Sequence, residues 1–193
     1  MLSKFIIGSA NFGSNYGITN KNKKKLTKKD IKKILDLALK NKCKIIDTAS
    51  VYDFSEKIIG SLKISKKFEI ITKFKDINLN KNIEIQIRES LHKSLDNLKR
   101  HKIYALLVHD SKYLVSKKSD IIFKTLKKLK SEKKIKFIGV SLSNFEHLDH
   151  VLKYNFDIIQ VPLNVFDQRI LNKKIINIIK RKNIAIHARS IFL

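Results

Sequence analysis

A parallel α/β fold of the (β/α)8 barrel kind is what this sequence predicts, and three observations predict it. Apolar clusters of strand length alternate with longer segments whose apolar residues recur at helical spacing, the pattern of βα units around a parallel sheet. No proline- or glycine-rich linker interrupts the 193 residues, so residues 1–193 read as one domain. Several of the strand-like runs end in a charge or a titratable ring instead of a turn residue. A parallel barrel builds its active site at that end of its strands.

Seven strands are expected, over Phe5 to Ser9, Lys44 to Asp47, Phe68 to Lys73, Ile103 to Val108, Phe137 to Ser141, Ile158 to Val161 and Ile184 to Ala188. Thr27, with Asp30 three residues on, forms a capping-box pattern ahead of a helix whose apolar face carries Ile31, Ile34, Leu35, Ala38 and Leu39. Ser55 starts a short second helix. Ile83, Ile87, Leu91, Leu95 and Leu98 mark a third, and Ile122, Leu126 and Leu129 a fourth. Asn144 to Leu152 and Leu171 to Ile179 supply two more. A closed barrel has eight such pairs and about 250 residues. The chain therefore reads as a barrel truncated after its seventh strand.

Hydrophobic residues make up 43% of the chain, enough for a buried core, and no run approaches the roughly 20 apolar residues of a membrane span. The opening Met1 to Phe5 lacks the apolar centre of a secretory signal, so a cytoplasmic protein with no membrane partner is expected. The net charge of +25 raises the question of nucleic acid. Yet the lysines are spread along the whole chain and arginines, the better bidentate readers of phosphate, are few. No nucleic-acid partner is expected, and the basic run Lys21 to Lys25 reads as a solvated loop. Cys43 is the only cysteine, which excludes an internal disulfide and the multi-cysteine zinc motifs and leaves a small buried thiol. His147 and His150 have helical metal-pair spacing but no third ligand nearby. With His92, His101 and His187 they read as ordinary imidazoles on helix surfaces and elsewhere, and no metal site is expected. Neither common glycine-rich phosphate cradle is present.

Four polar residues make chemical sense together. Asp47, Tyr52, Lys73 and His109 stand at or just after the ends of the second, third and fourth strands. A phenol ordinarily titrates near pH 10, too high for easy proton exchange at neutral pH, and a neighbouring ammonium favours the phenolate. Lys73 can supply that ammonium, Asp47 can keep it charged and aimed, and His109 can hydrogen-bond a substrate oxygen. The set then forms a proton donor for a carbonyl under reduction. Taken singly, each residue has an ordinary structural reading as a turn cap, a half-buried ring, a snorkelling lysine or a satisfied histidine.

On these residues and others the sequence resembles the aldo-keto reductase family over essentially its whole length. Gly8 to Gly13 is similar to the family's opening strand and loop, and Ile46-Asp47-Thr48-Ala49 with Tyr52, Ser55, Glu56 and Gly60 is similar to its signature. Thr72-Lys73, Val108-His109-Asp110 and Gly139-Val140-Ser141 follow in family order. The resemblance implies that Tyr52 is the general acid, that Lys73 and Asp47 tune it, and that His109 orients a small-molecule carbonyl substrate. It implies NADPH, or NAD in its place, as hydride carrier, with Ser141 and Gln160 on the nicotinamide carboxamide and Asn144, Arg189 and Ser190 also at the cofactor. Leu142 and Ser143 separate Asn144 from the serine, and the alternative role for Asn144 is to cap the following helix. Asp53 and Phe54 replace a usual glycine, narrowing the substrate mouth, and Arg189 replaces a usual aromatic that stacks on the nicotinamide. The stretches Asn11 to Ile18 and Ala188 to Leu193 resemble a bacterial branch found near surface-sugar biosynthesis genes, which points toward sugar-like carbonyls. A catalytically idle nucleotide-binding relative, or an inactive fragment, is the alternative to an active reductase.

Overall fold

Strands and helices alternate along the chain as the periodicities predict. A computed structural model describes residues 4–14 and 25–192; the lysines of the basic run before Lys25, and Asn15 to Ile18 of the opening motif, lie outside the described residues. The chain divides into two compact units, Met1–Phe74 with Arg88–Tyr104, and Lys75–Ile87 with Ala105–Leu193.

In the first unit β1 (Ile7–Gly8), β2 (Ile45–Asp47) and β3 (Glu69–Phe74) pair in parallel, with Gly8 opposite Asp47 and Asp47 opposite Ile71. The helix α1 (Lys28–Lys40) starts at the anticipated capping box: the Thr27 hydroxyl accepts from the Asp30 amide at 3.2 Å and the Asp30 carboxylate accepts from the Thr27 amide at 3.0 Å. Ile31, Leu35 and Ala38 on its apolar stripe are buried. Helix α2 (Ser55–Ser61) approaches the end of α3 (Ile83–Leu98) so closely that a Cβ on Gly60 would lie 2.1 Å from the Asn97 carbonyl oxygen. Glycine is required there by backbone contact. Beside it the buried Glu56 accepts from the Thr72 hydroxyl at 2.7 Å and the Asn97 amide at 3.2 Å, tying α2 to β3 and α3.

The second unit continues from β4 (Ile103–Val108), of which Ala105 onward belongs to it, through α4 (Ser119–Ser131), β5 (Ile135–Ser141), α5 (Leu148–Leu152), β6 (Ile158–Pro162), α6 (Lys173–Arg181) and β7 (Ala185–Arg189). Strands β5, β6 and β7 are parallel, with Ser141 opposite Gln160 and Gln160 opposite His187. Ile122, Leu126 and Leu129 of α4 are buried, as are Ile138 and Val140 of β5 and Ile159 and Val161 of β6. Asp157 accepts from Lys130 through both oxygens at 2.7 Å and from the Ile138 amide at 2.8 Å, which locks the end of α4 to the start of β6. Strands in chain order, parallel within each unit and separated by helices, make this the α/β architecture of a (β/α)8 barrel, with seven strands among the described residues.

The departures from the sequence reading sit at element ends. β1 is two residues long where five were expected, and β5 begins at Ile135, two residues early. The expected helix Asn144 to Leu152 is split into a 3-10 turn, Phe145–His147, and α5. Asn172 caps α6 by accepting from the Lys174 amide, so that helix starts at Lys173 and not at Leu171. Side-chain caps and tight turns compete with the apolar period at such ends, and the period does not see them.

Candidate active site

The first cluster lies at the carboxyl ends of β2 and β3. The Lys73 side chain is only 1% exposed, and its ammonium donates to the Asp47 carboxylate at 2.6 Å and to the Thr48 carbonyl at 2.8 Å. It also stands 5.3 Å from the centroid of the half-buried Tyr52 ring, a cation–π distance. The loop carrying Tyr52 is set by the same strands. The Thr48 amide bonds the Ile71 carbonyl and the Ser50 amide bonds the Lys73 carbonyl, at 2.8 and 3.0 Å, and the Tyr52 amide closes a turn onto Ala49 at 3.1 Å. Buried beneath, the Ser55 hydroxyl lies 2.9 Å from that of Ser9 and 3.2 Å from that of Thr48, fastening α2 to the ends of β1 and β2. Lys73, 26 residues from Asp47 in sequence, is thus brought together with Asp47 and Tyr52 in one unit. Asp53, next to Tyr52, takes a positive φ of 41°, a conformation asparagine and aspartate tolerate better than most. Exposed Phe54 joins Phe12, Leu26 and Ile58 around a cavity of about 420 Å³ rimmed by Lys25, Lys28 and Lys57.

The second cluster lies at the carboxyl ends of β5, β6 and β7 in the other unit. Ser141 and Gln160, both buried, are direct neighbours across the ladder. Arg189, opposite Pro162, donates to the Leu142 carbonyl at 3.0 Å, while its Nε is buried with no hydrogen-bond partner. A buried hydroxyl and carboxamide side by side, with an unsatisfied guanidinium N–H near them, form a donor and acceptor set that fits a polar, anionic or amide-bearing cofactor. Ser190 takes a φ of 56° and its carbonyl accepts from the Asn164 amide at 3.1 Å. Asn144 does what the alternative reading gave it: its side chain accepts from the Glu146 amide at 3.0 Å and caps the 3-10 turn.

His109 belongs to the second unit, directly after β4, and is half-buried. The residues that follow it carry a network the sequence reading missed. Asp110, Ser111, Ser143 and His147 are joined by hydrogen bonds of 2.7 to 2.9 Å. His147 is therefore no ordinary surface imidazole but a half-buried ring bonded at Nδ1. Its partner Ser111 is 36 residues away in sequence, beyond any periodicity. Burial works against ionising Asp110, but the Ser143 hydroxyl, the Lys112 amide and the Lys112 ammonium outweigh it and hold the carboxyl below its ordinary range. His92 pairs with Asp96 on the surface of α3. Cys43 is buried, its thiol 3.0 Å from the Phe5 carbonyl. Among the described residues no group of three or more acidic, histidine or cysteine side chains could hold a metal, and no helix is long and apolar enough to cross a membrane.

The family model of the Aldo/keto reductase family matches residues 4–193, and the chain belongs to that family. Its members are oxidoreductases that act on carbonyls with nicotinamide cofactors. No curated protein matches the chain in sequence. Among solved structures, a Pseudomonas aeruginosa protein described as an aldo-keto reductase is similar with a TM-score of 0.75 at 22% identity, over 97% of this chain and 73% of that one. A glycerol dehydrogenase of Gluconobacter oxydans gives 0.70 at 26% identity, over 97% and 59%. An aldo/keto reductase of Klebsiella pneumoniae, solved in complex with NADP and acetate, gives 0.69 at 16% identity, over 95% and 62%.

Proposed function

We propose that the protein reduces an aldehyde or ketone, sugar-like in character, to an alcohol with NADPH, and that Tyr52 is the general acid. The observation that carries this reading is the buried Lys73 ammonium, held by Asp47 at 2.6 Å and set 5.3 Å from the Tyr52 ring. In this reading the nicotinamide, when bound, supplies the hydride. Tyr52 gives its phenolic proton to the carbonyl oxygen as negative charge develops there, and becomes a phenolate. The Lys73 charge opposes that negative charge in a site with little water, where a fixed ammonium acts strongly. Asp47 and the Thr48 carbonyl keep Lys73 charged and pointed. His109 donates a hydrogen bond to the carbonyl oxygen and orients it. Ser141 and Gln160 would hold the carboxamide of the cofactor, with Arg189 and Ser190 beside it, and the capping geometry of Asn144 argues for a structural part. A sugar-like substrate is supported by the likeness of the opening and closing motifs to the surface-sugar branch. One barrel domain over residues 1–193 belongs to the same reading and is supported by the unbroken family match over residues 4–193 across both units; a cytoplasmic location is part of the reading too, on the sequence pattern alone.

The test is Tyr52→Phe, assayed with NADPH and a reactive nitrobenzaldehyde. Reduction is expected to fall by at least about a hundredfold, the usual scale of a lost general acid, with NADPH affinity nearly unchanged. Turnover within a few fold of wild type would remove Tyr52 from the role.

A further inference from the structure

We propose that Ser111 and Ser143, anchored by His147, are positioning residues that clamp the loop bearing His109 to the loop after Ser141 through one directed chain of hydrogen bonds. The proposal rests on the function above, because the role of His109 as carbonyl donor gives the clamp its catalytic consequence.

Proton bookkeeping gives the chain its direction. An ionised carboxylate only accepts, so the single hydroxyl proton of Ser143 is committed to Asp110 Oδ1 at 2.7 Å. The Ser143 and Ser111 oxygens lie 2.9 Å apart, and only Ser111 still has a proton to place between them. Ser111 Oγ also lies 2.9 Å from His147 Nδ1, and with its proton spent it must accept there. His147 must then carry its proton on Nδ1. The opposite tautomer would leave two hydroxyl oxygens facing each other at 2.9 Å with no hydrogen between them. The chain runs from His147 Nδ1–H to Ser111, to Ser143, to Asp110. Ser111 Oγ, fully buried, accepts a further bond from the Ser143 amide at 3.1 Å, so that its two lone pairs and its proton are all used. At the far end Asp110 accepts from the Lys112 amide at 3.0 Å, with the Lys112 ammonium at 3.4 Å.

The chain touches the candidate site through two loops. Asp110 and Ser111 follow His109 without a break, so fixing their side chains fixes the backbone that aims that imidazole. Ser143 lies two residues past Ser141, and the intervening Leu142 is held by its amide to the Gln160 carbonyl at 2.8 Å and by its carbonyl to Arg189 at 3.0 Å. The Leu142-Ser143 step that sets this sequence apart from its family's pattern is thus the piece that joins the two loops.

Two measurements test the clamp. Long-range proton–nitrogen NMR of the wild-type imidazoles reads the tautomer of His147 without reference to activity. A neutral Nδ1–H ring that shifts toward Nε2–H in Ser111→Ala supports the chain, and an Nε2–H ring in the wild type overturns it. Kinetics then read the positioning. In Ser111→Ala and His147→Phe, kcat/KM for the aldehyde is expected to fall about tenfold to a hundredfold, as for a misplaced catalytic group, with NADPH affinity unchanged. His147→Asn, whose side-chain amide can donate from nearly the same place, is expected to restore most of the loss. Unchanged kcat/KM in a folded Ser111→Ala variant, or a His147→Asn variant no better than His147→Phe, overturns the positioning role. A wild type that reduces no carbonyl overturns the proposed function and the positioning role with it, while the tautomer still decides the hydrogen-bond chain.

Discussion

Replacing Lys73 by methionine tests the arrangement at the ends of β2 and β3 through stability alone. The ion pair with Asp47 spans 2.6 Å, with the two side chains 1% and 15% exposed. At an effective dielectric near 20 that distance corresponds to about 6 kcal/mol of attraction. Burying the ammonium costs several kcal/mol, so the intact pair contributes modestly in net terms. Removing one partner is different. Lys73→Met leaves a mostly buried carboxylate with its cation gone, and Asp47→Asn leaves a buried ammonium facing only neutral acceptors, so each change is expected to cost about 3–5 kcal/mol. Against a total stability of about 5–15 kcal/mol, either variant would be marginal. The double variant loses both charges together and is expected to regain about 2 kcal/mol or more over the sum of the single losses. Urea unfolding followed by circular dichroism on the four proteins gives the cycle. Additivity within about 0.5 kcal/mol would mean that the two groups do not act as a buried pair, and the account of Lys73 as a held ammonium would fail.

In the folded fraction of Lys73→Met, turnover should fall by about a hundredfold or more and its pH profile should move, with Asp47→Asn acting in the same direction more weakly; superimposable profiles would contradict the tuning of Tyr52. Gly60→Ala would place a Cβ 2.1 Å from the Asn97 carbonyl and should destabilise by about 3 kcal/mol in urea, whereas a loss below about 0.5 kcal/mol would show that α2 can shift freely. Asp110 has a native pKa below its unfolded value, so its contribution to stability is present above the unfolded pKa and is lost as pH falls through the lowered native one. The stability gap between wild type and Asp110→Asn is therefore expected to hold steady above about pH 5 and to close below about pH 4. A gap that is flat across that range would remove Asp110 as an ionised acceptor.

How much of this was legible beforehand depends on the reach of each signal. The alternation of strand and helix, the apolar stripe of α1 and the capping box at Thr27 are local, because periods of 2 and 3.6 residues and a three-residue cap are written within one turn or one strand. The seven strands, the α/β class and the polar ends of β2, β3 and β4 followed from that, and the resemblance of the motifs led to the family that the comparison then bore out. The boundaries of β1, α5 and α6 did not follow. Those ends are decided by which backbone groups find a partner in the fold, as when Asn172 starts α6 at Lys173.

Tertiary structure alone decided the pairings. Lys73 reaches Asp47 and the Thr48 carbonyl because parallel register places the ends of β2 and β3 side by side, and nothing in either strand's own sequence states that distance. The same holds for Ser111, Ser143 and His147: one lay unnoticed two residues after His109, one looked like an insertion, and one looked like an idle imidazole. A hydrogen bond depends on positions within a few tenths of an ångström. Residue order along the chain determines which elements form; only their packing sets which distant side chains come within that range.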